Sequence, residues 1–365
     1  MKQSLKLMYN THTYLFLKIL LFACGAFLFA RCSESKTVIY SDEPFEEIRS
    51  NALHKESPFC LVLVDSSKDA SRDYLKHLHE DYGHLTDKAI YNIIDLTKEE
   101  NKWYVKWLCP ISTPLACVFS SEGDLIDLIP GISKESFLYT GEALQNVKVT
   151  DFHWPNRFQM NKKQVIPYLD NLLKQKINLD NGIYLSTEFN QIIDSLYYPY
   201  PIYLKLIGEC MENDTIGSLQ TAKSMIEIET PSFLESYKSE FIMAKKVLDP
   251  NFDINTEPNI RVEETMIFLD KCEVNQKELI DINIYNDGKQ PLRISKIHLS
   301  CSCLEQIGCD TNIMIDPQDY YTAKFYFTPD VGGEISRDIF ITSNAINTPI
   351  LHINILANAT NSMND

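Results

Sequence analysis

After a polar stretch, DPNFDINTEPN at 249–259, the apolar spacing of this 365-residue chain changes from three and four residues to two. One kind of element cannot serve both spacings. A period near 3.6 places apolar side chains on one face of a helix, and a period of two places them on one face of a strand. The stretch itself holds two prolines and little apolar material, so it reads as a linker. Beyond it, IRVEETMIFL, ELIDINIYN, LRISKIHLS, TAKFYFTP, ISRDIFITSN and ILHINILAN are short alternating runs, separated by turn sequences such as NDGKQP, DPQD and DVGGE. Residues 256–365 are therefore expected to form an all-β antiparallel sandwich.

Upstream, 149–255 carries only helical spacing, in NKKQVIPYLDNLLKQKIN, LSTEFNQIIDSLYY, PIYLKLIGECMEND, IGSLQTAKSMIEIE and PSFLESYKSEFIMAKKVLD. Thr230 followed by Pro231 is a helix start. Leu204, Ile207 and Met211 are expected to face Leu219, Met225 and Ile226 across one helical hairpin. No period near thirty-four residues recurs, so the segment reads as a helical connector. The Tyr/Pro cluster 197–201 is expected to brace a bend.

Between 33 and 148 the elements alternate: strand TVIY, helix EPFEEIRSNALHK, strand FCLVLV, helix SRDYLKHLHEDYG, strand AIYNIIDL, helix KEENKWYVKWL, strands LACVFSS and LIDLIP, helix SKESFLYTGEAL. The order βαβαβαββα, with a proline just before the fourth strand in STPLACVF and Gly131 after the fifth, resembles the thioredoxin fold. The resemblance implies an α/β domain in which Pro114 forms a cis-proline loop. It also implies a Cys-x-x-Cys pair near positions 69 and 72, but those residues are Asp69 and Arg72. Exchange needs a thiolate to attack a sulfur, so this domain reads as redox-silent. Cys60 and Cys117 lie in apolar strand runs and read as core. Cys109, ending a helix before Pro110, is the nearest residual thiol.

The first thirty-two residues combine Lys2, Lys6 and Lys18 with the apolar run ILLFACGAFLFA and a following RCSESK. The segment 1–32 resembles a bacterial lipoprotein signal. That resemblance implies export, cleavage, lipid on Cys32 and an anchor in a lipid bilayer. Cys24, which follows the small residue Ala23, is the rival acceptor, though cleavage there leaves an apolar stub. The apolar run is shorter than the ~20 residues that span a bilayer.

The C-terminal residues also carry a family resemblance. Asn286, Gly288, Pro291 and Leu292; Ser300, Cys301 and Cys303; Pro317; Phe327 and Pro329; and Ser343 and Asn344 match the marks of the bacterial domain of unknown function 1573. The resemblance covers 260–358 and implies an immunoglobulin-like sandwich of the ASPM, SPD-2 and Hydin type. Ser302 replaces the usual glycine, and Cys309 is extra. Each marked residue also has an ordinary role in a turn or at a strand end.

The sulfurs of HLSCSCLEQIGC leave several states open. Read as strand residues two apart, Cys301 and Cys303 point the same way, too far apart to bond without a bend. Cys309 is the easier partner, since six residues can turn back as a hairpin. A reactive Cys301–Cys303 pair, free thiols, and zinc on His298 with the three cysteines are the other readings.

With a net charge of −16 and no glycine-rich phosphate loop, HExxH or GxSxG, the chain is not expected to bind nucleic acid or to run the common nucleotide, zinc-protease or serine-hydrolase chemistries. No catalytic residue, metal or cofactor is assigned. Two functional readings follow. One is a lipid-anchored binding or scaffold protein of the cell envelope, not an enzyme, with an envelope protein as its partner. The other is a thiol-disulfide protein that uses Cys301 and Cys303.

Overall fold

The computed structural model describes residues 41, 43–86, 89–109, 112–158, 160–308 and 313–360; Cys24, Cys32, Cys309 and the expected strand TVIY lie outside them. Two compact units are present. One takes the described residues up to Asp95, Ser112–Gly123 and Leu128–Phe152; the other takes Leu96–Ile111, Asp124–Asp127 and the chain from His153 onward.

The first stretch of chain runs α1 (Phe45–His54), β1 (Phe59–Val64), α2 (Asp69–Glu80), a single turn α3 (Gly83–Thr86), β2 (Ile90–Asp95), α4 (Lys102–Leu108), β3 (Leu115–Phe119), β4 (Leu125–Pro130) and α5 (Lys134–Asn146). The sheet order is β2-β1-β3-β4, with β1 parallel to β2 and antiparallel to β3. This is a mixed sheet in an α/β unit. Six consecutive apolar residues suit β1, an inner strand buried along its whole length, to burial on both faces. Phe59 stacks on Phe119 at 4.7 Å, and Phe45 meets Phe119 edge-on at 5.3 Å, so α1 closes one end of the core. At the β3–β4 turn Gly123 has φ +92°, and a Cβ there would strike the Arg49 side chain; both facts call for glycine.

The middle region is all helical: α6 (Lys162–Asp180), α7 (Ser186–Ser195), α8 (Pro199–Met211), α9 (Thr215–Glu227) and α10 (Pro231–Leu248). Asn161 and Gln164 form a capping box on α6, and the Thr230 hydroxyl accepts the Phe233 N–H at the start of α10. The hairpin α8–α9 forms, but Met211 and Leu219 are exposed. Leu204 and Met225 are buried as expected, and the buried row of α9 is Ser218, Thr221, Ala222 and Met225. These residues have helical spacing, and three of them are small enough for a close approach that a count of large apolar residues does not register. Tyr198 and Tyr200 are buried at the start of α8, while Tyr197 stays exposed.

The remaining strands are β5 (Ile260–Val262), β6 (Met266–Glu273), β7 (Glu278–Asn286), β8 (Leu292–Leu299), β9 (Leu304–Ile307), β10 (Ile313–Ile315), β11 (Tyr320–Phe327), β12 (Gly333–Ser343) and β13 (Ile350–Thr360). They form sheets ordered β10-β8-β12-β13-β6 and β5-β7-β11-β9. The inward residues of both, among them Ile284, Phe325, Ile339 and Ile353, share one core. The expected antiparallel pattern has one exception, because β6 runs parallel to β13. Nearly the whole sandwich separates these two strands in sequence, which supplies the long connection a parallel pair needs.

Among the described residues no helix is long and apolar enough to cross a membrane.

Candidate functional site

Two places hold the residues that the sequence singles out. The first is the loop between β1 and α2. The Arg72 guanidinium pairs with the Asp69 carboxylate one helical turn away and donates to the carbonyls of Ser66 and Ser67. Asp65 accepts from the Ser67 amide and hydroxyl, which hold its carboxyl below the usual range, and its own N–H donates to buried Ser71. The Ser66 N–H donates to Asp95 at the end of β2. The loop is thus tied to itself by oxygen and nitrogen groups, with no sulfur at either position.

The peptide bond Thr113–Pro114 is cis, and the Pro114 carbonyl accepts the Gly131 N–H at 3.0 Å, joining this bend to the turn that enters α5. Cys60 and Cys117 sit fully buried in β1 and β3, and burial pushes both thiols up, which removes nucleophilic thiolate. Cys109, the residual-thiol candidate, caps α4 in a left-handed conformation and is only 8% exposed. It belongs to the other unit.

The second place is the sulfur-bearing turn of the sandwich. Strand β8 ends at Leu299, and residues 300–303 turn into β9. Cys301 and Cys303 are bonded to each other, with Cα atoms 5.2 Å apart. The expected link to Cys309 is therefore not made by either residue. The strand argument against a Cys301–Cys303 bond fails because the two cysteines stand in a turn, where the backbone folds back and brings their Cβ atoms together. Ser302 has no positive φ, so serine replaces the family's glycine without strain.

The turn is well tied. The Ser300 N–H donates to the Asp338 carbonyl and the Asp338 N–H to the Ser300 hydroxyl; Thr328 N–H donates to Cys303 O, and Leu304 N–H to Cys301 O. Arg337 Nε lies 3.2 Å from Cys303 Sγ. The Asp338 carboxylate accepts from His352 and Asn354, which hold it below its ordinary range. His298 stacks along Phe340, with ring centroids 6.3 Å apart. Among the described residues no group of three His, Cys, Asp or Glu side chains is placed to hold a metal, and the zinc set named from sequence includes Cys309, outside those residues.

Arg337 was missed in the sequence, although a signal was present. In ISRDIFITSN the alternate positions are Ile335, Arg337, Ile339 and Ile341, one charge in an aliphatic register.

The other family marks are structural. Asn286 and Asn344 bond to neighbouring backbone, and Phe327 is core. At Gly288 a Cβ would come within 2.2 Å of the Glu257 carbonyl.

No curated protein matches the chain. Among solved structures, a protein of unknown function from Porphyromonas gingivalis W83 is 20% identical, with a TM-score of 0.26, over 30% of this chain and 50% of that one; the chain thus spans half its length. The ASH/PapD-like domain 7 of human CEP192 is 9% identical, with a TM-score of 0.23, over 31% of this chain and 91% of that one. The secreted serine protease VesC of Vibrio cholerae is 10% identical, with a TM-score of 0.24, over 29% and 24%. The family model described as "Protein of unknown function (DUF1573)" matches residues 260–358, the stretch that folds into β5 to β13.

Proposed function

We propose that the chain is an exported, lipid-anchored bacterial binding or scaffold protein of the cell envelope. A catalytically silent thioredoxin-like unit and an Ig-like DUF1573 sandwich offer surfaces to another envelope protein. The observation that carries this reading is the β1–α2 loop, where an Asp69–Arg72 ion pair occupies the positions of an exchange pair and the unit's described thiols are fully buried. The strand order and the cis bond before Pro114 support the thioredoxin-like assignment.

An insulin-reduction assay with dithiothreitol tests the silent unit. Run on the full chain carrying Cys301→Ala and Cys303→Ala, it is expected to show no acceleration, since no accessible thiolate turns over in the first unit. Acceleration in that variant overturns the reading. Adding Asp69→Cys and Arg72→Cys is expected to introduce measurable exchange, because α2 starts at residue 69 and its N-terminus favours a thiolate.

The anchor is tested by labelling cells with a palmitate analogue. Cys32→Ala is expected to abolish the label and shift the protein toward the soluble fraction, because the acyl chains that hold it to the bilayer are no longer attached. Loss of label in Cys24→Ala alone moves the acceptor to Cys24, and no label in the unaltered protein refutes lipid anchoring.

A further inference from the structure

Strand β12 faces the sandwich core with Ile335, Ile339 and Ile341, all buried, but its remaining inward position near the turn is Arg337. A guanidinium in such a row, with its side chain 28% exposed, keeps only part of its water and needs polar partners on its inner side. Its partners in the structure are few. Nη1 donates to the neighbouring Ser336 carbonyl, Asp330 stands 3.8 Å from Nη2 with its side chain largely exposed, and Nε is aimed at Cys303 Sγ. A disulfide sulfur is a poor acceptor for that donor, whereas a thiolate is a strong one. The environment of Cys303 is thus better matched to the opened bond than to the closed one.

We propose that Cys301–Cys303 is a thiol–disulfide exchange site for a protein dithiol, in which Cys301 is the sulfur attacked and Arg337 receives the departing Cys303 thiolate. Both sulfurs are half-buried at the rim of the core rather than sealed within it. A thiolate of the partner attacks Cys301 Sγ, an S–S bond forms between them, and the Cys301–Cys303 bond breaks with its electron pair left on Cys303. The partner's second thiol loses its proton and attacks the partner sulfur of the mixed disulfide. That expels Cys301, which takes up a proton, the first partner thiol having already lost its own proton to solvent when it became the attacking thiolate. The partner dithiol is oxidised to a disulfide, and the Cys301–Cys303 pair is reduced by the same two electrons. The hydrogen bonds from Ser300 to Asp338 and from Thr328 to Cys303 hold the turn in place, so the two sulfurs stay neighbours when the bond is open. This site lies outside the silent thioredoxin-like unit and goes beyond the scaffold reading.

The test uses the full chain in detergent. In Cys301→Ala, iodoacetamide labelling of Cys303 is followed across pH by tandem mass spectrometry. The midpoint is expected below the unperturbed value of about 8.5. Arg337→Met is expected to raise it by about one unit, a tenfold drop in thiolate at neutral pH, with Arg337→Lys recovering part of the shift. In the otherwise unaltered chain, opening of the disulfide by dithiothreitol at pH 7 is expected to slow by about three- to fivefold with Arg337→Met, since a poorer leaving thiolate departs more slowly. In Cys303→Ala, an aromatic disulfide reagent is expected to form a mixed disulfide on Cys301. A Cys303 midpoint at or above about 8.5, a midpoint indifferent to Arg337→Met, or a bond that dithiothreitol leaves closed in the folded protein overturns the proposal. A purely structural arginine would lower thermal stability when replaced but would leave the midpoint unmoved.

Discussion

Trp107→Ala is expected to lower the unfolding free energy of the second unit by about 3–5 kcal/mol, in the range for truncating a large buried aromatic. The side chain is 1% exposed, and its Nε1–H donates to the Leu169 carbonyl of α6 at 2.9 Å. The backbone around it is also engaged: Tyr198 donates its hydroxyl to the Trp107 carbonyl, and Tyr237 donates to the Lys106 carbonyl at 2.9 Å. Helix α4 has only seven residues, too few to be stable alone, so it depends on these contacts with α6, α8 and α10. Trp107→Phe keeps most of the apolar area and loses the indole donor, and is expected to cost about 1–2 kcal/mol. Urea unfolding followed by intrinsic fluorescence measures both. All three tryptophans, Trp103, Trp107 and Trp154, belong to the second unit, so the signal reports on it alone. A loss below about 1 kcal/mol for Trp107→Ala would mean that the cavity collapses and that α4 is held by other contacts.

The elements that were legible from sequence are those in which one physical signal acts alone. FCLVLV could only be a buried strand, being too short for a helix and apolar at every position, and it is the central strand β1. The period-two runs beyond the linker became β5 to β8 and β11 to β13 because alternation leaves one choice of face, while the short strands β9 and β10 lie outside those runs. Where two signals compete, reading failed in definable ways. SRDYLKHLHEDYG reads as one helix ending on Gly83, but α2 stops at Glu80 and a separate turn begins at Gly83. Glycine is permissive for a stop without dictating which residue takes it. Counting large apolar residues also placed Met211 and Leu219 in the α8–α9 seam, yet both are exposed while the small Ser218, Thr221 and Ala222 of α9 are buried.

The sulfur turn shows why the candidate site was only half legible. Its cysteines were found at once, but the pairing depends on where β8 ends, and alternation continues through HLSCSC without a break at Leu299. Had the strand run on through Cys303, the two cysteines would stand two apart on one face, too far apart to bond. The group that contacts the pair, Arg337, is thirty-four residues on and reaches Cys303 only because β12 lies beside β8, with Ile339 opposite Leu299. Such register belongs to the folded sheet. The local sequence could show only that Arg337 breaks an aliphatic row.

Asn286→Asp is expected to be the most damaging single substitution in the sandwich that changes no side-chain volume, costing about 3–5 kcal/mol at neutral pH, as for an unpaired buried charge. Asn286 ends β7 and is fully buried. Its Oδ1 accepts the N–H groups of Asn259 and Gly288, at 3.4 and 3.0 Å. Its Nδ2 donates to the carbonyls of Gln290 and Ile315, at 2.9 and 3.0 Å. One amide therefore joins the linker end, the β7–β8 turn and β10. A carboxylate keeps the two acceptor bonds and loses both donors, and it sets an oxygen charge against two carbonyl oxygens. Burial and those carbonyls would hold the folded-state pKa of the new acid above the unfolded value of about 3.9. The stability this group contributes is then fully present below the unfolded pKa and lost as pH rises through the folded one. The deficit against the unaltered protein should therefore shrink on acidification, when the protonated acid regains one donor. Asn286→Ala, which removes all four bonds without adding charge, should show a deficit that does not vary with pH. Hydrogen exchange of the β7 and β11 amides at pH 7 and near pH 4 reads both variants. A deficit for Asn286→Asp that stays constant across that range, or matches that of Asn286→Ala throughout, would show that the amide's donors are not what joins these segments.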